Sequence, residues 1–154
     1  MTRSVLPVMK YLAIDYGLKR TGLAVADDQM RIPLPLEVIK TSSSQERIRR
    51  IAVAIEDQGA DALVLGLPLN MDGSEGPASK NARDFSRQLA DAFGLPVHLV
   101  DERLTSHEAQ NALSETGLSS RKTKPHRDAV AAAAILRDFL QQQTSEQGQP
   151  ETCP

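Results

Sequence analysis

The feature that most constrains the fold is a change of period along the chain. Lys10 to Asp15 (KYLAID), Arg20 to Ala26 (RTGLAVA) and Ile32 to Ile39 (IPLPLEVI) are short β-like segments separated by turns. From Ser42 the spacing turns helical: Ile48, Ile51, Ala52 and Ile55 fall on one face up to Gly59, and Ser42 to Ser44 offer an N-cap. Ala62 to Leu67 (ALVLGL) reads as a buried strand stopped by Pro68. Ala82, Phe85, Leu89, Ala92 and Phe93 mark a second helix closed by Gly94, and Val97 to Val100 a fifth strand. Ser106 to Thr116 reads as a third helix, Leu118 to His126 as a basic loop, and Asp128 to Gln143 as an Ala-rich fourth helix. The order β-β-β-α-β-α-β-α-α implies an α/β fold. Its five-stranded mixed sheet joins a three-strand antiparallel meander to two parallel strands, with helices on both faces. Pro33 and Pro35 remove ladder donors, which sends the third strand to an edge or delays its start.

At 154 residues the chain supports one domain, read as 10–143, with 1–9 a flexible extension and 144–154 a disordered tail. Trp is absent and aromatics are 3%, so the core must be aliphatic. No apolar run is long enough to span a membrane, and the first residues lack the pattern of a signal peptide. A cytoplasmic protein is expected. The single Cys153 rules out an internal disulfide and a Cys-based zinc site. A net charge of −2 argues against coating nucleic acid by bulk charge, yet leaves room for a local basic surface.

Carboxylates sit where two strands stop. Asp15 ends the first, Asp101 and Glu102 the fifth, and in open α/β sheets ligands collect at the carboxyl ends of parallel strands. At such a rim a carboxylate is expected to stay solvated and inexpensive. Asp128 opens the last helix, where the N-terminal dipole favours a negative charge. Acids without Cys, and with few His, make a hard oxygen site suited to Mg2+ or Mn2+. Two such ions, about 3.5–4 Å apart, serve the attacking and leaving oxygens of a phosphodiester. Singly, each acid has an ordinary explanation: a turn residue, a solvated charge cluster, a helix cap. Their common placement is what carries weight.

Basic residues accompany them. Lys19 and Arg20 follow Gly17 in the first turn. Arg103 follows Glu102, and Arg121, Lys122, Lys124 and Arg127 precede Asp128. Beside a metal site such groups hold a strand by its phosphates. Tyr16 is the one aromatic nearby, so single-strand recognition by stacking has little support. His98 reads as structural, and His126 has only a weak claim to proton transfer.

These residues resemble the bacterial YqgF (RuvX) family of Holliday-junction-resolvase-like proteins. The resemblance rests on Asp15-Tyr16-Gly17 with Arg20, Gly22 and Ala24, and on Gly66-Leu67-Pro68 with Gly73. It continues through Asp101-Glu102-Arg103-Leu104-Thr105-Ser106 to Arg121-Lys122 with Asp128, Ala131 and Ala132. It spans roughly Lys10 to Leu140 in the same order. The resemblance implies a ribonuclease-H-like fold and a nuclease that matures the 5′ end of 16S rRNA, with branched DNA as the other substrate. It further implies Asp15, Glu102 and Asp128 as metal-binding catalytic acids, with Asp101 supporting, and Arg20, Arg103, Arg121 and Lys122 as phosphate contacts. Whether one copy or a homodimer acts stays open. Two other functions compete. A phosphate-binding protein of the actin and sugar-kinase type needs two such domains around ATP, and a non-catalytic RNA-binding assembly or transcription factor would not need the acids.

Overall fold

The computed structural model describes residues 8–102 and 120–148, and in the second stretch it describes side chains for 128–143. The elements are β1 (Lys10–Asp15), β2 (Arg20–Asp27), β3 (Leu34–Lys40), α1 (Ser44–Gln58), β4 (Ala62–Leu67), α2 (Pro77–Phe93), β5 (Val97–Asp101) and α3 (Ser120–Gly148). The helix expected at Ser106 to Thr116 lies outside the described residues.

Local chemistry sets the boundaries. Ser43 caps α1 by accepting the Glu46 amide at 3.2 Å, and Gly59, at φ 65°, ends it in the left-handed conformation that favours glycine. Pro77 opens α2 at a position where its missing N–H costs nothing. The strands order as β3-β2-β1-β4-β5. β1 pairs antiparallel with β2 and parallel with β4, so the first strand is central. β3 is an edge strand that starts at Leu34, and its register slips between Leu23↔Glu37 and Ala24↔Pro35. Leu36 is the extra residue of that bulge, which lets Pro35 sit without a donor.

Two apolar layers hold the sheet. On one face Leu12, Ile14, Leu23, Leu63 and Leu65 pack with Ile51 of α1 and Phe85 and Leu89 of α2. On the other, small strand residues Ala13, Ala24 and Ala26 meet Ala132, Ile135, Leu136 and Phe139 of α3. Burying each of the larger side chains stabilises by about 1.5–3 kcal/mol. The alanines on both surfaces let α3 lie close to the strands.

The last helix departs from its expected bounds. It begins at Ser120, not Asp128, and runs to Gly148, not Gln143. The segment read as a basic loop is therefore helical from Ser120 on. Pro125 is the sixth residue of the helix and removes a single i→i−4 bond near its start. Among the described residues no helix is long and apolar enough to cross a membrane.

Candidate active site

Strands β1, β4 and β5 are parallel and end at one edge, with Ile14 level with Leu65 and Leu67 level with Asp101. Gly66 of β4 thus lies between Asp15 and Glu102. A Cβ at Gly66 would sit 3.2 Å from the Glu102 carboxyl carbon and 2.6 Å from Ile135 Cδ1. The missing side chain is what lets Glu102 reach across β4 to Asp15, with which it shares a hydrogen bond. On the other side of β1, Asp15 is paired in register with Gly22. A Cβ there would fall 2.0 Å from the Asp128 carbonyl oxygen and 2.2 Å from its carbon. The backbone of α3 therefore rests directly on β2 at Gly22, and this contact brings Asp128 into the electrostatic field of Asp15.

Burial, more than any other influence, pushes the Asp15 carboxyl up to about 10; the hydrogen bond with Glu102, the Glu102 charge and the Asp128 charge add to it. Asp15 accordingly holds a proton at neutral pH. This corrects the expectation of a solvated, inexpensive carboxylate at the rim: Asp15 is half-buried, and other acids stand beside it. A second correction concerns Asp128. It is the ninth residue of α3, beyond the first turn to which the dipole effect is confined, so it owes its place to the Gly22 contact.

The donor set suits a hard divalent cation. The Glu102 and Asp128 charges favour the neutral form of Asp15, and a divalent cation would reverse that preference. Asp15 and Glu102 touch, whereas Asp128 acts on Asp15 through space. Among the described residues no three His, Cys, Asp or Glu side chains stand close enough together to hold a metal ion.

Of the basic residues, Lys19 is exposed and Arg20 half-buried, both at the β1–β2 turn beside Asp15. Arg103 lies outside the described residues. Arg121, Lys122, Lys124 and Arg127 lie on the opening turns of α3, and their side chains fall outside the description. His98 lies on β5 with its ring 4.9 Å from that of Phe139, a packing role.

Arg47 escaped the sequence reading. It is 2% exposed and donates to Thr21 Oγ1 at 3.0 Å, the Leu18 carbonyl at 2.6 Å and the Thr41 carbonyl at 2.9 Å. Its guanidinium lies 5.2 Å from the Tyr16 ring centre, and Tyr16 stacks on Phe85 at 4.2 Å. The hairpin carrying Asp15, Lys19 and Arg20 is thereby pinned to α1. Position offered the one signal: Arg47 stands one helical turn ahead of Ile51 on the inward face.

The strand order, with acids at its carboxyl edge, defines a ribonuclease-H-like fold. The family profile of RuvX, described as Holliday junction resolvase, matches residues 9–142, and the chain belongs to that family. A relative from Anaeromyxobacter sp. (strain Fw109-5) is 45% identical over 132 residues, covering 86% of this chain and 96% of its own, and bears the name of a candidate pre-16S rRNA nuclease. One from Chromobacterium violaceum with the same name is 46% identical over 132 residues, 85% of this chain and 96% of its own. Among solved structures, T. thermophilus RuvC in complex with a Holliday junction substrate aligns with TM-score 0.56 at 18% identity, covering 91% of this chain and 97% of that one. The fowlpox virus resolvase with its substrate junction DNA aligns at 0.57 with 12% identity, covering 88% and 99%. Likeness at that level establishes the shared fold.

Proposed function

We propose that this protein is a metal-dependent endonuclease that cuts phosphodiesters during maturation of the 5′ end of 16S rRNA in the cytoplasm. The observation that carries the reading is the Asp15–Glu102 contact under the influence of Asp128, at the carboxyl edge of the sheet. The names of the relatives from Anaeromyxobacter and Chromobacterium support the substrate.

Asp15, Glu102 and Asp128 are the residues that would hold Mg2+ or Mn2+. When bound, such an ion activates water and offsets charge on the departing oxygen. Asp15 must first give up the proton it shares with Glu102, so occupancy and deprotonation go together. Gly66 lets Glu102 approach Asp15, and Gly22 seats the α3 backbone at Asp128 against β2. Lys19 and Arg20, held by the hairpin that Arg47 pins, would take the phosphates of the strand being cut, joined by Arg103, Arg121, Lys122, Lys124 and Arg127. The description of the matching family favours branched DNA as a second substrate, which would call for a homodimer where trimming RNA calls for one copy.

The test is a cleavage assay with labelled 16S rRNA precursor and a four-way DNA junction, in Mg2+, Mn2+ or chelator. The expected result is metal-dependent cutting of the precursor by the wild-type chain and none by Asp15→Asn. Equal cutting by both proteins, or in chelator, would overturn the proposal.

A further inference from the structure

The β1–β2 turn and the loop after β4 leave the sheet at the same edge as the acids, and each exposes an apolar side chain. Leu18, three residues beyond Asp15, is 64% exposed, and Met71, four residues beyond Leu67, is 90% exposed. At roughly 3.3–3.6 Å per residue, neither backbone lies more than about 14 Å from the strand end that carries it.

Neither loop is loosely held. The Leu18 carbonyl accepts from Arg47 at 2.6 Å, Thr21 Oγ1 donates to the Gly17 carbonyl at 3.2 Å, and the Thr41 amide donates to the Lys19 carbonyl at 3.0 Å. The second loop is a small hairpin. Leu69 bridges Glu75, the Gly73 amide donates to the Asn70 carbonyl at 2.8 Å and the Asn70 amide to the Ser74 carbonyl at 2.9 Å. Asp72 accepts from both the Ser74 amide, at 2.9 Å, and its hydroxyl, at 2.6 Å. Met71 stands at the first corner of the turn, where Asn70, Asp72 and Gly73 do the turning.

A single exposed apolar residue is ordinary. Two on internally hydrogen-bonded loops that leave adjacent strands, β1 and β4, at the edge of the proposed site are a different matter. Tyr16 cannot serve as a platform for a base, because Phe85 covers one part of its ring and Arg47 another. Unbranched or singly branched tips such as Met and Leu suit insertion between bases more than stacking beneath them.

We infer that Leu18 and Met71 form an apolar wedge that separates neighbouring bases beside the scissile phosphate. This rests on the nuclease reading above and narrows the substrate class. The preferred target is a boundary between paired and unpaired nucleotides, where a base stacked on one side only is cheapest to part from its neighbour, rather than a uniform duplex.

The experiment uses an RNA with one duplex–single-strand boundary carrying 2-aminopurine there, whose fluorescence rises on unstacking. It is bound by Asp15→Asn protein with and without Leu18→Ala and Met71→Ala, and cleavage is followed in parallel with the acids intact. The expected result is a rise on binding that the double substitution largely removes, and a fall of kcat/KM of about 10- to 100-fold that shrinks when the marked nucleotide is abasic. Both side chains are exposed, so an unshifted melting temperature confirms that folding is not the cause. A full fluorescence rise with the double variant, or none with either protein, overturns the wedge. A rise without any cleavage by the wild-type chain supports the wedge and overturns the nuclease reading instead.

Discussion

The carboxyl edge of the sheet, where β1, β4 and β5 end, and the opposite edge, where they begin, handle charge and shape in contrary ways. At the opposite edge three acids do ordinary folding tasks. Asp27 accepts from the Gln29 and Met30 amides at 3.0 and 2.6 Å, Asp28 from Met9 at 3.1 Å, and Asp61 from Lys10 at 3.0 Å. A cavity of about 360 Å³ also opens there, lined by Tyr11, Met30, Ile32, Leu34 and Ala60 among others. At the carboxyl edge the acids face one another, and the buried Arg47 spends its hydrogen bonds on carbonyls and a hydroxyl. Among the described residues this cavity lies at one end of the molecule and the electrostatic conflict at the other. The conflict is the better guide to chemistry, because a fold keeps mutually repelling acids only where something compensates them.

Substitutions at both edges would break or sharpen this contrast. The largest effect is on turnover: Glu102→Gln or Asp128→Asn should lower kcat at least about 1,000-fold, while Asp28→Asn and Asp61→Asn at the other edge stay within about twofold, by single-turnover cleavage. Next, Gly22→Val drives a side chain into the α3 backbone at Asp128. A loss of more than about 3 kcal/mol in urea unfolding is expected, with little residual activity. Arg47→Met leaves two carbonyls and a hydroxyl without their donor and should cost about 2–4 kcal/mol, with a higher KM as the Lys19–Arg20 turn loosens.

Asp15→Asn should act in the opposite sense on stability. The native carboxyl is raised to about 10, so between the ordinary aspartate value of about 3.9 and that point the unfolded chain sheds a proton that the native chain keeps. Wild-type stability in chelator therefore falls as pH rises through this window. The variant escapes that loss, gaining about 1–3 kcal/mol at pH 8 and nothing at pH 3, by thermal melts. A smaller effect belongs to the far edge: Ile32→Thr, on an exposed side chain, should stay within about 0.5 kcal/mol and leave cleavage unaltered.

The sheet was legible because its signals are local. KYLAID and ALVLGL are apolar runs of strand length with turns at both ends, and Ser43 and Gly59 bracket α1 with ordinary caps. The strand ends then gave Asp15 and Glu102. What stayed hidden depends on contacts between distant segments. The run of basic residues before Asp128 read as a loop and hid the true start of α3, and nothing near Asp128 signals that Gly22 lets the helix rest on β2. Arg47 was invisible for a similar reason. A charged residue on a helix reads as solvated until the carbonyls of another hairpin are seen around it. The burial of Asp15 likewise comes from parts of the chain that only the fold assembles.

The central claim is that Asp15, Glu102 and Asp128 together receive a divalent cation in place of the proton on Asp15. Calorimetric titration of Mn2+ into the wild-type chain, repeated in buffers of different ionisation enthalpy, tests it directly. Saturable binding with net proton release near neutral pH, abolished by Asp15→Asn and by Glu102→Gln, is the predicted result. Binding of equal strength in those variants, or no release of a proton, would contradict it.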